Sequence, residues 1–270
     1  MASISRSVHD FKKLDQLAMG DTALHRLDPR AKVLATAAYI LAVVSFGKYE
    51  LSAMLPFCIF PLVVISRGDI PFRSIFRKVL LVIPFALFVG IWNPLFDRQI
   101  MLTIGPYGIS GGWVSCASIV VRSVLTVAGA LTLVGITGFN AICQALESLG
   151  MPKAFAVQLL FLYRYIFVLT DEGGRVARAR ELRSFGEKGK GIVPFSSLIG
   201  HLLLRTWQRA ERIHMAMLAR GFNGEFHSRN ETRFGWPEVA FLSGWLGVFI
   251  ILRTRNVSEM LGSLLTGSFK

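Results

Sequence analysis

The apolar residues of this chain come in blocks, and the blocks are too long and too free of charge for an ordinary soluble core. The runs are Val33–Gly47, Leu51–Ser66, Val79–Phe96, Trp113–Thr137, Ala154–Thr170 and Trp236–Leu252. Several approach the roughly 20 residues needed to cross a hydrocarbon core. In lipid, each backbone N–H and C=O must find its partner inside the protein, so runs of this kind fold as helices. Hydrophobic residues make up 53% of the chain and charged residues 17%, a balance that fits a lipid-embedded protein. The first two runs are short for spans. Each reaches about 18 residues if it extends into Gly47-Lys48-Tyr49-Glu50, which predicts a tight helical hairpin.

The stretch Met1–Lys32 holds Asp10, Asp15, Asp21 and Asp28 among its basic residues and has no apolar run followed by a cleavage site. It does not read as a secretory signal, so targeting is assigned to the first span. Cys58, Cys116 and Cys143 stand singly in or beside apolar stretches, as small buried side chains rather than disulfide or metal partners. His9, His25, His201, His214 and His227 form no i,i+4 pair and no cluster with acids or cysteines, so no metal site is expected in this chain.

The net charge of +13 is unevenly placed among the apolar runs, which reads as membrane topology rather than nucleic-acid binding. Lys plus Arg number six in Met1–Lys32, one in Lys48–Glu50, four in Arg67–Lys78 and one in Asp97–Gly112. The positive-inside rule puts the N-terminus and the second loop in the cytoplasm, with the first and third loops outside. Four spans return the chain to the cytoplasm after Thr137, where Gly138–Gly235 carries fourteen basic residues against eight acidic ones. If Ala154–Thr170 crossed, the twelve basic residues after it would lie outside. That run, with Arg164 between Tyr163 and Tyr165 at its middle, is therefore read as an apolar helix at the cytoplasmic interface or packed on the other spans. Trp236–Leu252 becomes the fifth crossing. Arg122, inside Trp113–Thr137, is not explained by this logic and is read as facing the bundle or snorkelling, with a direct role in transport as the alternative. Pro56, Pro61, Pro84 and Pro94 imply kinked helices, while Ala128-Gly129-Ala130 and Gly135 allow close backbone approach.

The expected fold is all-α: a polytopic membrane helix bundle of about five transmembrane helices with a cytoplasmic domain of long amphipathic helices. Residues 1–137 would hold the N-terminal segment and four spans, 138–235 the cytoplasmic domain, and 236–270 the last span and tail. Within 138–235, Asn140–Leu149 is closed by Gly150 and Pro152. A second helix is predicted from Lys153 through Leu182. A third, about Ser197 to Ala219, has Leu203, Trp207, Ala210, Ile213 and Met217 on one face. The last two end alike, in Leu182-Arg183-Ser184-Phe185-Gly186 and Ala219-Arg220-Gly221-Phe222-Asn223-Gly224. One such ending is an ordinary basic last turn followed by a glycine cap. Two endings 37 residues apart in one basic segment read as a matched pair of Arg tips, suited to two equivalent acidic grooves such as an ATPase dimer offers.

With Leu27-Asp28-Pro29-Arg30-Ala31-Lys32, Ala179-Arg180-Glu181-Leu182-Arg183-Ser184-Phe185-Gly186, and Arg209-Ala210-Glu211-Arg212 leading to Ala216-Met217-Leu218-Ala219-Arg220-Gly221-Phe222, the chain resembles the T component of energy-coupling factor transporters, in its cobalt/nickel (CbiQ) form. The resemblance covers nearly the whole chain. It implies that Leu182-Arg183-Ser184 and Ala219-Arg220-Gly221 tip coupling helices seated in two ATP-binding cassette ATPase subunits. It also implies a separate metal-binding substrate-specificity subunit in the membrane and often a small accessory membrane protein. ATP and Mg would belong to the ATPase subunits, leaving this chain without cofactor, catalytic group or metal.

Gly186-Glu187-Lys188-Gly189-Lys190-Gly191 lacks the spacing and hydroxyl residue of a phosphate-binding loop. A stand-alone secondary transporter, the alternative reading, calls for mid-membrane acids and two related halves, and a membrane enzyme calls for clustered His or Asp at a span's end. Neither pattern stands out. A Gly189→Cys variant is expected to react with impermeant thiol reagents only from the cytoplasmic side. Labelling from outside intact cells would mean that Ala154–Thr170 crosses the membrane.

Overall fold

A computed structural model describes residues 15, 17–96, 100–104, 107–183, 192–224 and 234–254. They form two compact units, one of residues 15–142 with 232–270 and one containing 143–231. In the first unit a short α1 (Ala23–Arg26) precedes α2 (Pro29–Val44). The start of α2 is set by sequence: the Asp28 carboxylate accepts from Arg30 N at 2.8 Å and Pro29 takes the first turn. The helix thus begins four residues before the apolar run Val33–Gly47 and spans about 24 Å.

The chain reverses through 45–50, where the Glu50 carboxylate accepts from Gly47 N at 3.1 Å. Leu51–Arg67 then runs as α3 (Leu51–Met54), a 3-10 turn (Leu55–Cys58) around Pro56, and α4 (Ile59–Arg67). The following segment is more helical than its charge implied. Much of the expected loop Arg67–Lys78 is α5 (Phe72–Leu80), and the expected third span is broken into α6 (Ile83–Gly90) and α7 (Asn93–Phe96). Its breaks fall just before Pro84 and Pro94, which cannot donate to the preceding turn but suit the start of a new one. The expected loop Asp97–Gly112 contains an antiparallel hairpin, β1 (Ile100–Ile104) with β2 (Tyr107–Ser110), pairing Ile104 with Tyr107 and Leu102 with Ile109. Then come α8 (Gly111–Thr137) and, at the end of the unit, α12 (Trp236–Thr254).

Among the described residues, three helices are long and apolar enough to cross a membrane: Gly111–Thr137, Lys153–Leu182 and Trp236–Thr254. The helical bundle agrees with the expected membrane class. The second of the three contains Ala154–Thr170, the run expected from the charge distribution not to cross, and its length and composition alone would allow it to.

The spine of the first unit is α8, against which α2, α4, α6 and α7 pack. Tyr39 on α2 is fully buried at the centre. Its ring stacks on Phe60 (centroids 4.6 Å apart) and touches Phe57 and Phe249, joining α2 and α12 to the 51–67 segment. Its hydroxyl donates to Leu125 O at 3.4 Å. The ring lies so close to α8 that a Cβ on Gly129 would sit 2.7 Å from Tyr39 Cε1. At Gly135 the neighbour is Ile70 Cδ1, at 3.0 Å. Small residues do for these helices what water exclusion does in soluble cores, since lipid gives no hydrophobic gain for helix contact.

Polar groups close both ends of this unit. At one end Lys32, 2% exposed, donates to His25 O (3.2 Å) and Ile136 O (3.4 Å). Glu238 beside it accepts from Gly235 N (2.9 Å) and Asp28 N (3.4 Å). At the other end Arg122 donates to Phe46 O (2.8 Å) and Gly47 O (3.3 Å), and Arg253 to Ser45 O (3.0 Å). Arg122, read from the sequence as facing the bundle or snorkelling, therefore caps the carbonyl end of α2. Arg253 also pairs with Glu50 at 3.2 Å and lies over the Phe46 ring. The Glu50 carboxyl is held below its ordinary value, first by the Gly47 amide and then by Arg253.

A Gly129→Ala variant is expected to lose about 1–3 kcal/mol, the usual cost of overpacking, because the neighbour is a fully buried ring. Gly135→Ala should lose less, because a flexible Ile70 methyl can give way. Thermal unfolding of the two purified variants in detergent checks the order.

Candidate functional site: the paired helix tips

The second unit is built on long helices. The short α9 (Phe139–Ser148), within which the boundary between units falls, ends at Gly150 through bonds from Gly150 N to Glu147 O and Met151 N to Leu146 O, both 3.1 Å. Pro152 then leads into α10 (Lys153–Arg183), and α11 (Ile192–Leu218) follows. At 31 and 27 residues they are about 46 and 40 Å long. Among the described residues they are joined by an ion pair, Arg209 Nη1 to Glu172 Oε2 at 2.8 Å, with the Glu172 side chain 13% exposed. Beside it, a Cβ on Gly173 would just reach Leu202 Cδ2 at 3.8 Å. Arg209 lies in a segment that carries the family resemblance. Glu172 was missed, since a lone acid next to Asp171 gives no sequence signal until its partner is known.

Beyond this contact both helices continue to their tips, about 15 Å from Glu172 to Leu182 and about 16 Å from Arg209 to Arg220. Leu182 is 80% exposed. Arg183 is the last residue of α10; its side chain, and all of Ser184, fall outside the described residues. Ala219, Arg220 and Gly221 are all exposed.

The second tip has a defined geometry. Phe222 N donates to Met217 O at 3.0 Å and Gly221 N to Leu218 O at 2.9 Å, with Gly221 at φ +81°. This pair of bonds around a left-handed residue is the Schellman closure of a helix. The capping glycine is thus Gly221, the small residue of the tip itself, and not the Gly224 that follows Phe222. The closure holds the backbone of Arg220 at the very end of α11, where a cation meets the negative end of the helix dipole. The apolar stripe predicted on α11 is present as a helix face, but Leu203 and Trp207 are well exposed.

Other candidate chemistry is sparse. His25 is occupied structurally: Nδ1 meets Thr22 Oγ1 at 2.7 Å and Nε2 meets Leu17 O at 3.1 Å. Cys58, Cys116 and Cys143 are unbridged. Among the described residues, no group of three or more His, Cys, Asp or Glu could hold a metal ion.

Gly221→Ala forces a side chain into a left-handed conformation, which costs about 1–2 kcal/mol. Amide exchange in the last turn of α11 is expected to quicken in this variant, with Gly221→Asn restoring part of the protection. Unchanged exchange would mean that the closure does not depend on glycine.

Three relatives align over most of this sequence. The energy-coupling factor transporter transmembrane protein EcfT of Leuconostoc gelidum subsp. gasicomitatum is 26% identical over 87% of this chain and 94% of its own length. That of Thermanaerovibrio acidaminovorans is 27% identical over 81% and 86%, and that of Bacillus subtilis is 27% identical over 76% and 82%. The CbiQ family model, described as cobalt transport protein, matches residues 20–232, a stretch that runs from α1 past both helix tips. The chain therefore belongs to the CbiQ family and is a transmembrane component of an energy-coupling factor transporter.

Proposed function

We propose that this chain is the coupling subunit of an ATP-driven importer for cobalt or nickel ions, joining two ATP-binding cassette ATPase subunits to a metal-binding substrate-specificity subunit in the membrane. The observation that carries the reading is the pair of helices that meet at Glu172–Arg209 and run on to the two Arg motifs, with Leu182 exposed at the end of one and Ala219, Arg220 and Gly221 exposed at the end of the other. Two long rods in contact through a charged pair transmit a displacement of their ends, where a loop would absorb it. An Arg at each end can hold a carboxylate bidentately while the rod behind it turns. In this reading, ATP binding closes the ATPase pair, the seated tips move relative to one another, and the membrane unit passes the motion to the subunit that carries the ion. The N-terminus and residues 138–235 face the cytoplasm, as the positive-inside rule requires. ATP and Mg reside in the ATPase subunits, and a small accessory membrane subunit completes the complex.

The test is affinity purification of the tagged chain from mild detergent, together with uptake of radiolabelled cobalt or nickel. The wild type is expected to bring down a nucleotide-binding subunit. Arg183→Glu with Arg220→Glu should release it and reduce uptake to background while membrane insertion is retained. Normal uptake by the double variant would sink the docking model. A chain that purifies alone and transports in liposomes without ATP would be a secondary carrier.

A further inference from the structure

The helix α5 (Phe72–Leu80) is too short to span a bilayer, at about 13 Å, yet its sides are sharply divided. Ile75 and Val79 are buried in the bundle. At about 100° per residue, the next stripe around the helix is Phe72, Phe76 and Leu80, all roughly half exposed, with the two Phe rings stacked at 5.8 Å. The stripe after that is Arg73 and Arg77, both exposed. The apolar stripe continues into the exposed Leu81, Phe85 and Phe88.

The turn before α5 lies at the Lys32–Glu238 end of the first unit, since Gly68 meets Ile136 and Ile70 meets Gly135 near the end of α8. Arg67, also exposed, closes α4 there. Between α4 and α5 is a cleft of about 500 Å³ lined mainly by Leu62, Ile65, Ile70, Pro71 and Phe72, with Asp69 among its lining.

We propose that α5 and this cleft bind an anionic phospholipid, with Arg67, Arg73 and Arg77 around the phosphate head group and an acyl chain laid along Phe72, Phe76 and the cleft. A helix whose apolar stripe borders a basic stripe at the polar end of an apolar bundle matches the boundary between acyl chains and head groups. Three arginines against Asp69 leave the site net positive, which selects an anionic head group over a zwitterionic one. The guanidinium fork suits a phosphate oxygen pair. The inference rests on the chain being embedded in lipid and on neither ATP nor a partner subunit.

The test is native mass spectrometry of the full chain in detergent, titrated with phosphatidylglycerol and with phosphatidylcholine of the same acyl chains. The wild type is expected to retain phosphatidylglycerol preferentially. Arg73→Gln with Arg77→Gln should cut that preference about fivefold for each arginine removed, and Arg73→Lys with Arg77→Lys should keep most of it. Arg175→Gln with Arg178→Gln, which removes the same charge from α10, should leave it intact. Wild-type preference in the Arg73/Arg77 glutamine pair, or an equal loss in the α10 pair, would overturn the site. Failure of docking through Arg183 and Arg220 would leave this measurement unaffected, so the two ideas can fail separately.

Discussion

The membrane unit depends on one close approach, the ring of Tyr39 against the bare backbone of Gly129. Around that contact α2 lies on α8, and the Phe57, Phe60 and Phe249 rings fill the space beside it. In a bilayer the surrounding lipid is as apolar as the core, so burial alone would not hold these helices together. What holds them is packing that lipid cannot reproduce. Aromatic rings interlock in offset and edge arrangements, and missing side chains let backbones approach.

A bundle with helices this short must still satisfy its backbone ends. Here α2 stops at Val44, and the carbonyls of Ser45, Phe46 and Gly47 receive donors from Arg122 and Arg253. At the opposite end Lys32 and Glu238 do the same for the Ile136 carbonyl and the Asp28 and Gly235 amides. Lys32, Arg122, Glu238 and Arg253, in or beside the apolar runs of this unit, are thus part of the fold's own hydrogen bonding. That argues against reading them as a pathway for an ion, and leaves α2, α8 and α12 tied at both ends.

The long-helix unit follows a different rule. Among the described residues, the shielded Glu172–Arg209 ion pair joins α10 to α11, and the apolar side chains of Leu182, Leu203 and Trp207 are exposed. A helix pair with so little mutual burial cannot draw its geometry from its own core. This is the expected condition of an element whose surfaces are completed by other subunits, and it fits the place of this chain in a multi-subunit transporter family.

The sequence by itself determined the membrane class, the hairpin near Gly47–Glu50 and the close of α11 at Ala219-Arg220-Gly221, because hydrophobic runs, caps and charge bias are local properties of the chain. It also pointed to the glycines of α8, though without their partners. Only the tertiary structure decided that Tyr39 fills the space above Gly129, that Arg122 caps α2 from 76 residues away, and that Glu172 pairs with Arg209. It also turned an expected basic loop into α5 and an expected outer loop into a hairpin. In each case the deciding partner lies far off in sequence, where neither periodicity nor composition carries a signal.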